Sequence, residues 1–149
     1  MAPKIVTIGE ILAEIMADES GHGFLEPIAL TGPFPSGAPA IFISQAARMG
    51  GDTAYVSAVG QDDFGKVNLD RLSSDGVDIS AVKIDDQLPT GHAFVRYRPD
   101  GNRDFVYNIT QSASGTVHMS AEAEAVFAEA GHLHVVGNSL FTDDLRSMA

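Results

Sequence analysis

Between Ser36 and Gly65 the chain alternates turn, helix, turn, strand and turn with little slack. Ser36-Gly37 leads into an alanine-rich apolar run over 38–49, which stops at Gly50-Gly51. An apolar, strand-prone stretch over 53–59 follows, and Gly60-Gln61-Asp62-Asp63-Phe64-Gly65 ends it. In the first run only Ser44, Gln45 and Arg48 are clearly polar, so that helix is expected to be buried nearly all round, with Gly50 as its left-handed cap. Asp62 and Asp63 are placed to accept the free amides of a second helix over 64–74, which Gly76 closes. Helix and strand in alternation, joined by short links, point to an α/β fold with a largely parallel sheet.

The flanks extend this pattern. Residues 4–8 form a β-branched run ending at Gly9 and read as a first buried strand. Residues 10–16 continue extended, with Ile11, Ala13 and Ile15 alternating against Leu12, Glu14 and Met16. Residues 18–23 are turn-like, and Pro33, Pro35 and Gly37 break the chain before the first helix. Residues 91–98 and 103–109 flank Pro99-Asp100-Gly101-Asn102, a hairpin whose turn residues tolerate positive φ. Ser120 opens a third helix over 121–130, Glu122 and Glu124 favour its dipole, and Gly131 ends it. A strand over 132–137 comes next. Asp143-Asp144 then start a helix that Ala149 cuts off, so the chain end is expected to be a truncation.

Several function classes fall away. No run of about eighteen apolar residues exists, so no membrane span is expected. Met1-Ala2-Pro3-Lys4 leads straight into a strand, without the apolar stretch of a signal peptide, which points to the cytoplasm. The chain has no cysteine, hence no disulfide, thiolate zinc site or cysteine nucleophile. A net charge of −11 repels nucleic acid and anionic membranes.

In open α/β sheets ligands bind where strands end. Two segments converge on such a place: Gly9 with the residues after it, and Ser36-Gly37 at the amino end of the first helix. Gly37 is either a plain tight turn or the point where free helix amides meet ligand oxygens.

The order of elements from Ser36 to Gly65 resembles the amino-terminal half of the ribokinase-like PfkB carbohydrate kinases; Gly76-Val77-Asp78 and the strand near Val135 fit the same pattern. The resemblance runs from Lys4 to about Ser139. It implies a ribokinase-like three-layer α/β sandwich with a small β-lid, truncated here, with lid segments over about 10–34 and 90–112. It also implies transfer of the γ-phosphoryl group of ATP, with Mg2+, to a sugar hydroxyl. The aspartate and Gly-Ala-Gly turn that perform this step in the family have no counterpart here. No catalytic or metal residue is assigned, and the chain alone is expected to be inactive.

By the same resemblance Glu14, Ser36, Gly37, Tyr107 with its neighbour Asn108, and Asn138 are the candidate sugar-binding residues. Glu14 takes the family's acidic position, where aspartate is more usual, and Ser36-Gly37 stand for a Gly-Gly pair. Ile41 replaces an asparagine that grips sugar hydroxyls. Ile109 replaces an arginine used for acidic sugars, which weakens a 2-keto-3-deoxygluconate-type substrate. Read from the residues alone, Glu14 could equally be a solvated carboxylate and Tyr107 a cross-strand packing ring. The implied partners are a small sugar and ATP, with a homodimer formed through the lid. Two other functions stay open: a non-catalytic sugar-binding or interaction module, favoured by Ile41, and a nucleoside kinase of the same superfamily.

Residues 60–67 match a phosphate-binding loop except at Val67, which lacks the hydroxyl for magnesium, and two aspartates inside the loop would repel phosphate. His132 and His134 share a strand face, but with no third ligand nearby they read as structural or solvated.

Overall fold

A computed structural model describes residues 3–149. In chain order the elements are β1 (Lys4–Ile8), β2 (Leu12–Ala17), β3 (Leu30–Ser36), α1 (Ala38–Arg48), β4 (Thr53–Gly60), α2 (Asp63–Asp75) and β5 (Val82–Asp85). Then come β6 (Gly91–Tyr97), β7 (Arg103–Asn108), α3 (Ala121–Ala128), β8 (Ala130–Val135) and α4 (Asp143–Met148). Single 3-10 turns occupy Ala113–Thr116 and Gly137–Ser139.

Four strands build the first sheet in the order β5-β4-β1-β8, with every neighbouring pair parallel. Side chains alternate through it and feed two separate cores. Val6, Ile8, Ala54, Val56 and Ala58 meet Ala123 and Val126 of α3 and Leu145 of α4 on one face. Tyr55 and Val59 meet Ala40 and Ile43 of α1 and Leu72 of α2 on the other. Helices on both faces of a buried parallel sheet make the three-layer α/β sandwich that the sequence leads one to expect.

A second sheet, β3-β2-β6-β7, stands off the first. Its central pair, β2 and β6, is parallel and both flanking pairs are antiparallel. The hairpin over β6 and β7 forms as its alternation predicts, Arg98 and Asn102 closing the turn.

Three local expectations are corrected, and one strand is added. Pro33 and Pro35 do not break the chain; they lie within β3, an edge strand where a missing amide costs no ladder bond. Gly131 does not end α3, which stops at Ala128; it lies inside β8, where a side chain would strike Pro3. The short strand β5 was not anticipated at all. And α1 is not buried all round: Ala38, Ile41, Gln45 and Arg48 form an exposed stripe along it, while polar Ser44 is buried and bonded to Asp75. The stripe exists because the helix covers the sheet with one face only; at its amino end Ala38 and Ile41 border an open hollow.

Among the described residues no helix is long and apolar enough to cross a membrane.

Candidate functional site

Within the first sheet the chain passes from β1 to β4 and β5 on one side and only later to β8 on the other. The order therefore reverses between β1 and β8, and the crevice beyond their carboxyl ends is where an open sheet leaves room for a ligand. The segment leaving β1 is clamped there. Ser57 Oγ donates to the Gly9 carbonyl and Tyr55 Oη to the Glu10 carbonyl, each at 2.6 Å. The Ile11 amide donates to Ser114 Oγ at 3.3 Å. The Glu10 carboxylate accepts from Ser139 Oγ at 2.6 Å and is 4 % exposed. Burial, and then the negative charge of Glu10, push the Tyr55 phenol well above its ordinary range, so it stays a donor.

Gly37 closes the same corner. Its φ is +110° and a Cβ there would lie 2.6 Å from the Glu10 carbonyl oxygen, so only glycine lets α1 start so close to β1. Pro39 removes one amide from the first turn of α1, leaving those of Ala38 and Ala40 without acceptors inside the helix.

Above this corner lies a hollow of about 550 Å3. Glu10, Ser36, Gly37, Ala38 and Ile41 form one wall, Asn138 and Phe141 another. The second sheet supplies the third, from Leu12, Glu14, Ala93, Arg103, Phe105 and Tyr107, with Ile109 and Thr110 just beyond β7. Register accounts for this set. Glu14 stands opposite Ala93, and Ala93 opposite Tyr107, in one row across three strands. At the usual strand spacing Glu14 and Tyr107 are roughly 10 Å apart, and the small Ala93 between them leaves the dip.

Five of the six candidates from the sequence, Glu14, Ser36, Gly37, Tyr107 and Asn138, border this one hollow. Asn108 does not line it; strand alternation turns it to the opposite face, paired with His92. Ile41, 58 % exposed, presents an apolar side chain to the same space. Arg103 lies over the Phe105 ring, 5.5 Å from its centroid, and adds a cation to a wall that also carries Glu14.

Sequence reasoning missed Glu10, Ser139 and Ala93. A charged residue between Gly9 and Ile11, inside an apolar run, was the one available signal.

The glycine turn over 60–65 is not an anion site. The Gly60 amide is taken by Thr90 Oγ1 and the Gly65 amide by Asp62 Oδ1, both at 2.8 Å. Asp62 also accepts from the Thr90 amide and hydroxyl, tying the start of α2 to β6. Burial works against its charge, but these bonds outweigh it and hold the carboxyl below its usual range. His134 stacks on Phe42, with centroids 3.6 Å apart. No cluster of three potential metal ligands occurs among the described residues. With its amides already taken, the glycine turn does not fit a nucleotide phosphate.

Comparison with known proteins places this geometry. Residues 2–149 match the family described as pfkB family carbohydrate kinase. Probable fructokinase-5 of Arabidopsis thaliana is 30% identical over 145 residues, covering 97% of this chain and 44% of the relative. A putative ribokinase II from E. coli, solved in an apo form and with ATP and Mg2+, is 44% identical. The apo form superposes with a TM-score of 0.90 over 97% of this chain and 46% of that one. Fructokinase from Xylella fastidiosa with bound ATP is 26% identical, with a TM-score of 0.83 over 99% of this chain and 46% of that structure. The chain thus spans less than half the length of these relatives.

Proposed function

Since the chain belongs to the pfkB family of carbohydrate kinases, we propose that its hollow is the sugar-binding part of an enzyme that phosphorylates a sugar hydroxyl from ATP and Mg2+. The observation that carries this reading is the convergence of Glu14, Ala93 and Tyr107 in one row of the second sheet, facing Ser36, Gly37 and Asn138. A carboxylate accepts sugar hydroxyls, an aromatic ring covers the apolar face of a sugar, and a clamped corner with free helix amides fixes orientation. The second sheet acts as a lid: it covers the sugar and keeps water from the reacting hydroxyl. The chain's own residues bind, orient and shield; the group that activates the hydroxyl and the donor's site belong to no residue described here.

Glu14→Ala is the test. In the full polypeptide that carries this chain, the KM for the phosphorylated sugar should rise about 10- to 100-fold, the loss of a charge-assisted hydrogen bond, with the melting temperature within about 2 °C of the parent. Unchanged KM with a lower melting temperature would make Glu14 structural and remove the reading. A second reading, a sugar-binding module without catalysis, is favoured by Ile41 on the hollow's wall. Sugar binding by calorimetry without ATP turnover would select it. A panel of sugars and nucleosides separates a sugar kinase from a nucleoside kinase.

Two further assignments rest on the same reading. The second sheet joins two copies of the chain, through an outer face that exposes Leu30 and Val106 beside Phe94. The protein works in the cytoplasm, which a fluorescent fusion would test.

A further inference from the structure

Glu10 has a property the sugar-site reading does not use. Its side chain is almost wholly buried, yet it takes part in no ion pair among the described residues. Leaving a carboxylate in such a place costs several kcal/mol unless its oxygens are satisfied. Ser139 satisfies only Oε2. Among the described residues Oε1 has no hydrogen-bond partner, and it is not sealed in: the one enclosed, partnerless side-chain atom among them is Thr53 Oγ1, and Glu10 borders the hollow. The backbone beneath it cannot drift, because Tyr55 holds its carbonyl and Gly37 abuts the same oxygen. Were fixing Ser139 its whole task, a neutral amide would serve at far lower cost.

We propose that Glu10 is a second substrate-contacting carboxylate, whose Oε1 accepts a hydroxyl of the polyol held in the hollow. This rests on the sugar-site reading above and deepens it. Glu14 projects from the second sheet and Glu10 from the end of the first, so a polyol that donates to both spans the joint between the sheets. Ser139 is the positioning residue: it occupies Oε2 and turns Oε1 toward the ligand. Two carboxylates on facing walls select a neutral polyhydroxyl compound over an acidic sugar, whose own carboxylate would be repelled.

The experiment uses Glu10→Gln, which keeps an acceptor for Ser139, and Ser139→Ala, in the full polypeptide, with D-fructose and D-ribose as probes and ATP as donor. For the better of the two sugars, Glu10→Gln should raise KM about 10- to 100-fold. KM for ATP should stay within about twofold, and the melting temperature should equal or exceed the parent's, because the neutral amide relieves the buried charge. Ser139→Ala should raise the sugar KM less, about 3- to 10-fold. In a series of monodeoxy analogues, one position should lose its discrimination in Glu10→Gln while the others keep theirs, because the hydroxyl that met Oε1 is gone. Parent-like sugar KM in Glu10→Gln, or an unchanged deoxy profile, overturns the proposal. If Glu14→Ala still weakens the sugar in that event, Glu10 alone was misassigned. If neither substitution affects sugar KM, or neither sugar is phosphorylated by the parent, the hollow itself was misread and this inference falls with it.

Discussion

Gly37 shows how one missing side chain sets a site. Its φ of +110° lies where a Cβ is penalised, and the Glu10 carbonyl occupies the space a Cβ would need. Gly37→Ala should therefore cost about 2 kcal/mol or more, from roughly 1–2 kcal/mol of backbone strain plus displacement of the segment after β1. Urea unfolding measures the loss; a parent-like midpoint would mean the corner has slack. Glu14 and Tyr107 were candidates by family resemblance alone; the register that brings them into one row through Ala93 is visible only in the structure. Asn108, named only as the neighbour of Tyr107, was excluded by strand alternation itself: one step along β7 puts it on the far face. Glu10 was illegible for a different reason. Its burial depends on Ser139, 129 positions away, and no local pattern reports such a partner.

At the scale of elements, apolar runs bounded by glycine, aspartate and turn residues located α1, α2, β4 and the β6–β7 hairpin to within a residue or two. β3 escaped because proline signals a break unless the strand is known to be an edge, a fact that only sheet order supplies. The exposed stripe of α1 escaped because alanine and isoleucine look alike whether they face a core or an open hollow. β5 is too short to carry a period, and a carboxylate secures its end instead. Asp85 accepts from the Lys83 ammonium and then from the amides of Gln87 and Leu88, which hold its carboxyl down to about 2. Its folded value lies below the unfolded one, so this stabilisation is complete above about pH 4 and is lost as pH falls toward 2. It is worth at most about 2 kcal/mol, less where salt screens the half-exposed Lys83. Asp85→Asn should lower neutral-pH stability and flatten the acid limb of a pH–stability curve; an unaltered limb would show that other carboxylates govern it.

For the whole molecule, the two cores and the parallel sheet follow from composition and alternation, whereas the stance of the second sheet does not. That sheet exposes Leu30 and Val106 on its outer face, beside Phe94, an apolar patch unpartnered in a single copy. Sedimentation at micromolar concentration should therefore detect a dimer, and Val106→Asp should return it to monomer. A dimer indifferent to that change would place the contact elsewhere. The hollow's walls come from residues near 10, 36, 105 and 138, segments that meet only through the crossovers between sheets. No excised hairpin or helix can inherit the cavity. Recognition is thus the final product of folding, and an occupied cavity certifies every strand crossing beneath it.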